Sequence, residues 1–177
     1  MAWDVGFRLP QTGFFTPDQL AGLRALFRAI QPTDVERGIP GADDSGAADF
    51  LDRLLARVHE SDGIHIHTDL PKWADRYPGW LAQFDRIART SFGVPLADVT
   101  PAQATDLVSA LEEGRLAGFD GDQRGVFVTI WRHCLQGCWS DPRWGGNRDR
   151  IMWRWLGHLY DPQDVAVGFA GGHHADH

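Results

Sequence analysis

Apolar residues recur at steps of three and four along most of the chain, and this spacing predicts α-helices. A strictly alternating pattern, which would indicate a half-buried strand, is confined to one short stretch near residue 65. The predicted fold is therefore all-α: a single-domain helical bundle of about six helices with long loops, in which each helix buries one apolar face. The stretches that carry the helical pattern are 20–30, 50–58, 80–88, 107–111, 127–138 and 151–159.

Two of the predicted helices begin with the same signal. Thr16-Pro17-Asp18-Gln19 and Thr100-Pro101-Ala102-Gln103 each place a Thr before a Pro, with a Gln three residues after the Thr. The Thr and Gln side chains can satisfy backbone N–H groups at the helix start, and Pro suits the first helical position. Gly114 predicts the end of the second of these helices, and Gly121-Asp122 the start of the next.

Two other boundaries are less regular. Residues 33–46 are typical of a surface loop, in which Asp43, Asp44 or Ser45 could cap the helix that follows. Residues 71–93 predict a further helical region, which Tyr77-Pro78-Gly79 could divide into two pieces because Pro interrupts helix hydrogen bonding.

Histidines are the most visible candidates for chemistry. His65 and His67 would point to the same side of an extended segment, which allows a polar loop edge, a segment facing an active site, or part of a metal site. A metal site needs a third ligand, and the sequence places none beside them. Three more histidines lie in the Gly-rich C-terminal tail, at 173, 174 and 177.

Composition narrows the function classes. The net charge of −7 argues against general nucleic-acid binding, which needs a basic face. Eight Trp residues favour a partner surface, because Trp is enriched at interfaces. The two cysteines, Cys134 and Cys138, would share one helix face and are predicted to be two buried thiols.

A compact turn, Cys138 to Asp149, separates two apolar helical patterns. It holds a Pro, the pair Gly145-Gly146 and Asn147, which suit a tight turn. No catalytic template is visible in the chain: GxSxG, GxGxxG, GK[ST] and HExxH are all absent. The residues alone therefore predict a soluble helical domain whose Trp-rich C-terminal third faces a partner.

The same turn carries a resemblance to a known family. The run from Gly137 to Asp149, followed by Trp153 and Gly157, resembles the C-terminal signature of the gluconate 2-dehydrogenase subunit 3 family. That signature is a small residue, an aromatic, Asp-Pro, an aromatic, Gly-Gly-Asn, and then Trp and Gly on the next helix. Phe14-Phe15-Thr16-Pro17 and the segment 96–111 are also similar, so the likeness spans residues 14–160.

The resemblance implies a non-catalytic small subunit of a FAD-dependent oxidoreductase complex that acts on a sugar or sugar acid. The large catalytic subunit would be a flavoprotein of the glucose–methanol–choline type, and this chain would stabilise it or help it mature. FAD is expected in that partner and no cofactor in this chain; neither nucleic acid nor direct membrane insertion is expected. The implied organisation is an N-terminal extension at 1–13, a small-subunit domain at 14–160, and a flexible His- and Gly-rich tail at 161–177.

Candidate site residues follow from the signature. The residues predicted to form the partner interface are Trp139, Asp141, Pro142, Trp144, Gly145, Gly146, Asn147 and Trp153. His65 and His67 are a candidate contribution to the partner's substrate channel. The rival interpretation is a stand-alone small metal-binding protein or enzyme that uses His65, His67 and the tail histidines.

The chain departs from the family pattern in two places. Members commonly begin with a twin-arginine leader, which this sequence lacks, so a cytoplasmic location is predicted unless a partner carries the chain out. Trp144 stands where the family usually has Tyr.

Overall fold

A computed structural model describes residues 12–59, 69–142 and 145–157, and these ranges form a helical bundle. Within them the backbone makes no strand, and its only β-type pairing is an isolated bridge between Asp34 and Ile39. The all-α, single-domain prediction is confirmed. The α-helices are α1 (Pro17–Ile30), α2 (Ala42–Ser45), α3 (Ala47–Ala56), α4 (Leu70–Phe92), α5 (Pro101–Glu112), α6 (Gln123–Trp139) and α7 (Ile151–Trp155). Short 3₁₀ turns lie at Arg57–His59, Leu96–Asp98 and Arg148–Arg150.

Helices α1 and α5 begin as their sequences predict. In α1 the Gln19 N–H donates to Thr16 Oγ1 at 3.3 Å, while the Thr16 N–H donates to Gln19 Oε1 at 3.0 Å. Thr100 and Gln103 repeat this reciprocal pair at the start of α5, and Gly114 follows α5 with a left-handed φ of 73°. The two helices pack against each other. The same type of cap therefore begins two neighbouring helices of the bundle.

The core surrounds α1, which contacts each of α2 to α6. One continuous apolar cluster joins these helices, and Met152 brings α7 into it with a fully buried side chain. The short C-terminal helix is thereby fixed to the bundle. The largest fully buried apolar side chains are Phe27, Tyr77, Phe84, Leu23, Leu26, Leu51, Leu55, Leu70, Leu111 and Met152.

The possible division of the fourth helix at Pro78 is wrong, because α4 is continuous across it. Pro78 lacks the N–H that would bond the carbonyl four residues earlier, which costs the helix one hydrogen bond. On either side of it, Tyr77 and Leu81 are 0% and 3% exposed. Burial of this apolar face on both sides of Pro78 holds the helix together.

The prediction that residues 33–46 form only a surface loop is also wrong. The segment contains α2, and Ser45 at its end is fully buried. Asp44 does not cap α3: its Oδ2 accepts the Gly41 N–H at 2.7 Å, at the start of α2 itself. Gly46 precedes α3 instead, with a φ of 71° that turns the chain sharply from α2 into α3.

Helix α7 is shorter than the apolar pattern of 151–159 predicts. It ends at Trp155, and Gly157 follows with a φ of 75°. Left-handed glycine is a common helix terminator, because it closes the last turn without a steric penalty. None of the helices in the described ranges is long and apolar enough to cross a membrane.

Candidate partner-binding surface

The signature turn is built on the close approach of α6 to α3. A Cβ atom at Gly137 would lie 2.7 Å from the Cα and 2.8 Å from the carbonyl oxygen of Ala47. Neither backbone atom can move away easily, so only glycine allows this crossing. Gly137 thus fixes where the end of α6 sits on the bundle.

The turn then folds back over that end of α6. The backbone N–H of Asn147 donates to the carbonyl oxygen of Gly137 at 2.7 Å. Gly146 lies so close to this oxygen that a Cβ there would collide with it, and would lie 2.6 Å from Ser140 Oγ. Gly137 and Gly146 are therefore both required by backbone packing within this chain.

Asn147 is the centre of the turn. Its side chain is completely buried, and its Oδ1 accepts the Met152 N–H at 3.0 Å at the start of α7. Its own φ is 45°, a left-handed conformation that Asn tolerates better than most residues. Asn147 thus links the turn to α7 and positions the C-terminal Trp residues.

Arginines attach the turn to the rest of the bundle. Arg53 of α3 donates to the carbonyl oxygen of Gly145 at 3.0 Å. Arg148 pairs with Asp49 at 3.0 Å, and Asp49 also pairs with Arg24 of α1 at 2.5 Å. One half-buried carboxylate therefore joins α1, α3 and the turn.

Three Trp side chains gather where α6 meets α7. The Trp153 indole N–H donates to the carbonyl oxygen of Trp139 at 3.1 Å, and both side chains are half-buried. The Trp155 ring lies 6.4 Å from that of Trp139 and is 42% exposed. This group offers aromatic area that is already oriented by the fold, which is typical of protein-binding surfaces.

The predicted interface residues do not share one environment. Gly146 and Asn147 are buried within the chain, whereas Trp139, Asp141, Pro142, Gly145 and Trp153 are half-buried. Trp144 lies outside the described residues, as do His65 and His67. The interface and the substrate-channel contribution stay predictions, and the turn's local role is to shape the end of α6.

Sequence reasoning missed several exposed apolar side chains near this turn. Val128 and Trp131 of α6 are 38% and 41% exposed, and Leu156 after α7 is 52% exposed. The signal was present, because Val128, Trp131, Leu135 and Trp139 recur at helical spacing outside the buried stripe of α6. It was hidden because Trp131 and Leu135 directly follow the buried residues Ile130 and Cys134 and were included with them in one apolar pattern.

The buried polar groups of the bundle serve packing. Tyr77 OH and His133 Nδ1 lie 2.7 Å apart between α4 and α6, and burial raises the pKa of the Tyr77 phenol well above its ordinary value. Asp52 accepts the backbone N–H groups of Phe14 and Phe15 at 2.8 and 2.7 Å, which ties the segment before α1 to α3. Each group joins two elements.

The prediction of two buried thiols is confirmed, since Cys134 and Cys138 are free and fully buried. A hydrogen bond with Cys138, together with burial, raises the pKa of the Cys134 thiol, while that bond lowers the pKa of Cys138. Ser45 also donates to Cys138 Sγ at 3.4 Å. Residues 12–59, 69–142 and 145–157 contain no group of three His, Cys, Asp or Glu side chains that could hold a metal ion.

A family model described as gluconate 2-dehydrogenase subunit 3 matches residues 17–158. The chain belongs to the gluconate 2-dehydrogenase subunit 3 family. The match begins at the first residue of α1 and extends beyond α7, so it covers the whole described bundle and the signature turn. The resemblance drawn from the turn is confirmed, and the family name identifies the chain as a subunit of a dehydrogenase complex. Neither a curated protein nor a solved structure matches the chain.

Proposed function

We propose that this chain is the non-catalytic small subunit of a FAD-dependent sugar or sugar-acid oxidoreductase of the glucose–methanol–choline type. The family match over residues 17–158 carries the proposal. The described bundle supports it, because its buried polar side chains at Asp52, Tyr77 and His133 are engaged in holding helices and their flanking segments together. Its Trp-containing surface is suited to a protein partner.

The chain stabilises the catalytic subunit by binding its folded form. Any ligand that binds only the native state shifts the folding equilibrium toward that state, by about 2.7 kcal/mol at a concentration a hundredfold above Kd. A rigid helical bundle suits this task, since its surface is ordered before binding and loses little conformational freedom. FAD and the oxidation chemistry belong to the partner.

Co-expression tests the proposal. The chain is produced together with a glucose–methanol–choline-type flavoprotein from the same organism. Purification through a tag on this chain should yield both proteins, with flavin absorbance in the complex. The flavoprotein should unfold at a higher temperature with this chain than without it. An unrelated flavoprotein of the same structural class serves as the control. Purification of the chain without any flavoprotein contradicts the proposal.

A contribution in trans by His65 and His67 remains a separate prediction. Replacing both with Ala should change the turnover or the KM of the assembled enzyme while assembly is unaffected. Unchanged kinetics in the variant complex would count against this contribution and leave the stabilising role intact.

A further inference from the structure

Helix α6 has two apolar faces. Its buried face, which includes Val126, Ile130, Cys134 and Cys138, packs into the core. A second set, Val128, Trp131, Leu135 and Trp139, follows at steps of three, four and four residues. At 100° per residue this set forms a second stripe, centred about 125° around the helix from the buried residues. We call these four residues the outer stripe.

The outer stripe faces outward over a length suited to a helix or a sheet of another protein. It covers eleven helical steps, or about 16 Å. Val128 and Trp131 are exposed, and Leu135 and Trp139 are half-buried. Trp155 continues it at the C-terminal end, through its ring contact with Trp139.

Exposed apolar area is concentrated here. The large hydrophobic side chains that are exposed in the described ranges are Val35, Val128, Trp131, Trp155 and Leu156. Val35 lies in the segment before α2 and lines a pocket with Trp155, while the other four lie on α6 or on α7 and the residue after it. Apolar area grouped in this way marks interaction surfaces, while isolated exposed side chains do not.

Charge identifies the kind of surface that fits. The sequence of α6 contains no Asp or Glu, and Arg124 and Arg132 are exposed beside the outer stripe. Arg154 of α7 lines a pocket with Asp34 and Asp44, so the basic border belongs to α6, on a chain whose net charge is −7. A complementary surface is apolar with carboxylates at its edge. A second copy of this chain would instead bring arginine against arginine.

We propose that the outer stripe is a docking surface for the catalytic subunit of the complex, which contributes an apolar face bordered by carboxylates. The inference rests on the proposed function and adds the surface and its chemistry. Trp131 is the anchor, because it is the largest exposed hydrophobic side chain on α6 and is flanked by positive charge. The signature turn supports the surface by fixing Trp139 and Trp155 at its end.

The substitution Val128→Glu tests the surface. Position 128 is four residues from both Arg124 and Arg132, so a Glu there forms favourable pairs along the isolated helix. In the complex the same carboxylate would be buried in an apolar contact and would be repelled by the carboxylates of the partner. It would also neutralise the positive charge of the two arginines. We expect the Kd for the flavoprotein to rise by about 10-fold or more, with the melting temperature of the isolated chain unchanged.

Ala82→Glu is the matched control, because it places the same carboxylate at an exposed position of α4, four residues before Arg86, beside a pocket that no residue of α6 or α7 lines. Its Kd should equal that of the unaltered chain. Trp131→Gln is the second binding variant, and it removes the anchor without adding charge. We expect it also to raise the Kd by about 10-fold or more.

The outcomes distinguish a failure of the proposed docking surface from a failure of the proposed function. If the unaltered chain does not bind the flavoprotein, the proposed function fails and this inference fails with it. If the unaltered chain binds and both Val128→Glu and Trp131→Gln bind equally well, the function stands and the surface is wrong. Equal weakening by Ala82→Glu also contradicts the assignment. A homodimer that Val128→Glu converts to monomers would show that a second copy occupies the stripe.

Discussion

Asn147 illustrates how one buried polar side chain sets the geometry around it. Its backbone is held in a left-handed conformation, while its Oδ1 satisfies the Met152 N–H at the start of α7. A hydrophobic residue could fill the space but would leave that N–H buried without a partner, which costs about 1–3 kcal/mol. The conformation adds a further steric cost for residues other than Gly and Asn.

Asn147→Ala should therefore destabilise the isolated chain by about 2 kcal/mol or more, measured as the free energy of unfolding in urea. Asp149→Gly is the control, because Asp149 also has a left-handed φ, of 55°, but its side chain is exposed. Glycine relieves the backbone there, so that variant should be unchanged or slightly more stable. Equal destabilisation of both would show that the turn is sensitive to substitution in general, and not specifically to loss of the hydrogen bond to Met152.

The sequence could predict the residue types of this turn but not their burial. Gly145-Gly146 and Asn147 are typical turn residues, and the family signature singled them out. Their contacts involve Gly137 and Met152, which pattern analysis placed on the flanking helices without any link to the turn. Turn chemistry is local and visible in the sequence, whereas the surface on which a turn folds is set by tertiary packing.

Two helix glycines should respond in opposite ways to substitution by Ala, because the space around their Cβ positions differs. A Cβ added at Gly137 of α6 would lie closer to the Ala47 backbone of α3 than a methyl group can approach. Gly79 of α4 has nothing within 4 Å of the position that a Cβ would take. Both glycines are within helices, where Ala is intrinsically preferred by about 0.5–1 kcal/mol.

Gly137→Ala should destabilise the fold by about 1–3 kcal/mol, because α6 and α3 must separate to admit the methyl group. Gly79→Ala should stabilise it by about 0.5–1 kcal/mol. Thermal unfolding of the two variants beside the unaltered chain measures the contrast. Stabilisation by Gly137→Ala would mean that the close crossing of α6 and α3 is wrong.

Asp85 joins α4 to the 3₁₀ turn at Leu96–Asp98. Its Oδ2 accepts from Arg89 at 2.7 Å and its Oδ1 from the Leu96 N–H at 2.9 Å. Burial alone would raise its pKa, but these hydrogen bonds outweigh burial and lower the pKa below the ordinary 3.8. The carboxylate therefore stabilises the fold at pH values above about 4, and the stabilisation is lost as the pH falls through the lowered pKa.

Asp85→Asn should destabilise the chain at pH 7 by about 1 kcal/mol or less, since the side chain is 39% exposed and solvent weakens the pairing. The difference from the unaltered chain should shrink as the pH falls below about 4, where Asp85 becomes protonated. Urea unfolding at pH 7 and at a series of acidic pH values measures it. Asp75→Asn, an exposed position on the same helix, is the control. A difference that stays constant at acidic pH would contradict the role of the charge.

Helix starts were more predictable than the connections between helices. The capping boxes at Thr16 and Thr100 are complete in five residues or fewer, so local sequence determines them. The continuity of α4 across Pro78 depends on burial of Tyr77 and Leu81, and the separation of α2 from α3 depends on the conformation of Gly46. These features need the packed structure, because the local signal alone favours a break or a loop.

For the molecule as a whole, the two faces of α6 connect folding with assembly. The buried face orders the helix, and that order holds Trp131 and Trp139 in place before any partner arrives. An apolar surface that is rigid in the free chain loses less entropy on binding than a flexible one. The fold therefore keeps exposed apolar area on a helix whose other face is held in the core, where its geometry is well defined.

The net charge of the molecule and the local charge around the outer stripe act in opposite directions on the approach of an acidic partner. A chain with a net charge of −7 should repel an acidic partner at long range, yet Arg124 and Arg132 border the outer stripe. At an ionic strength of 0.15 M the Debye length is about 8 Å, so the charges nearest the contact dominate. Arg132→Gln should therefore lower the association rate for the flavoprotein by a few-fold, with little change in the dissociation rate. Arg37→Gln, which removes an equal charge from the segment before α2, should change the association rate much less. The difference in association rate between these variants should shrink as salt is added. Equal association rates for both at low salt would show that net charge, and not the basic border of α6, governs the approach of the partner.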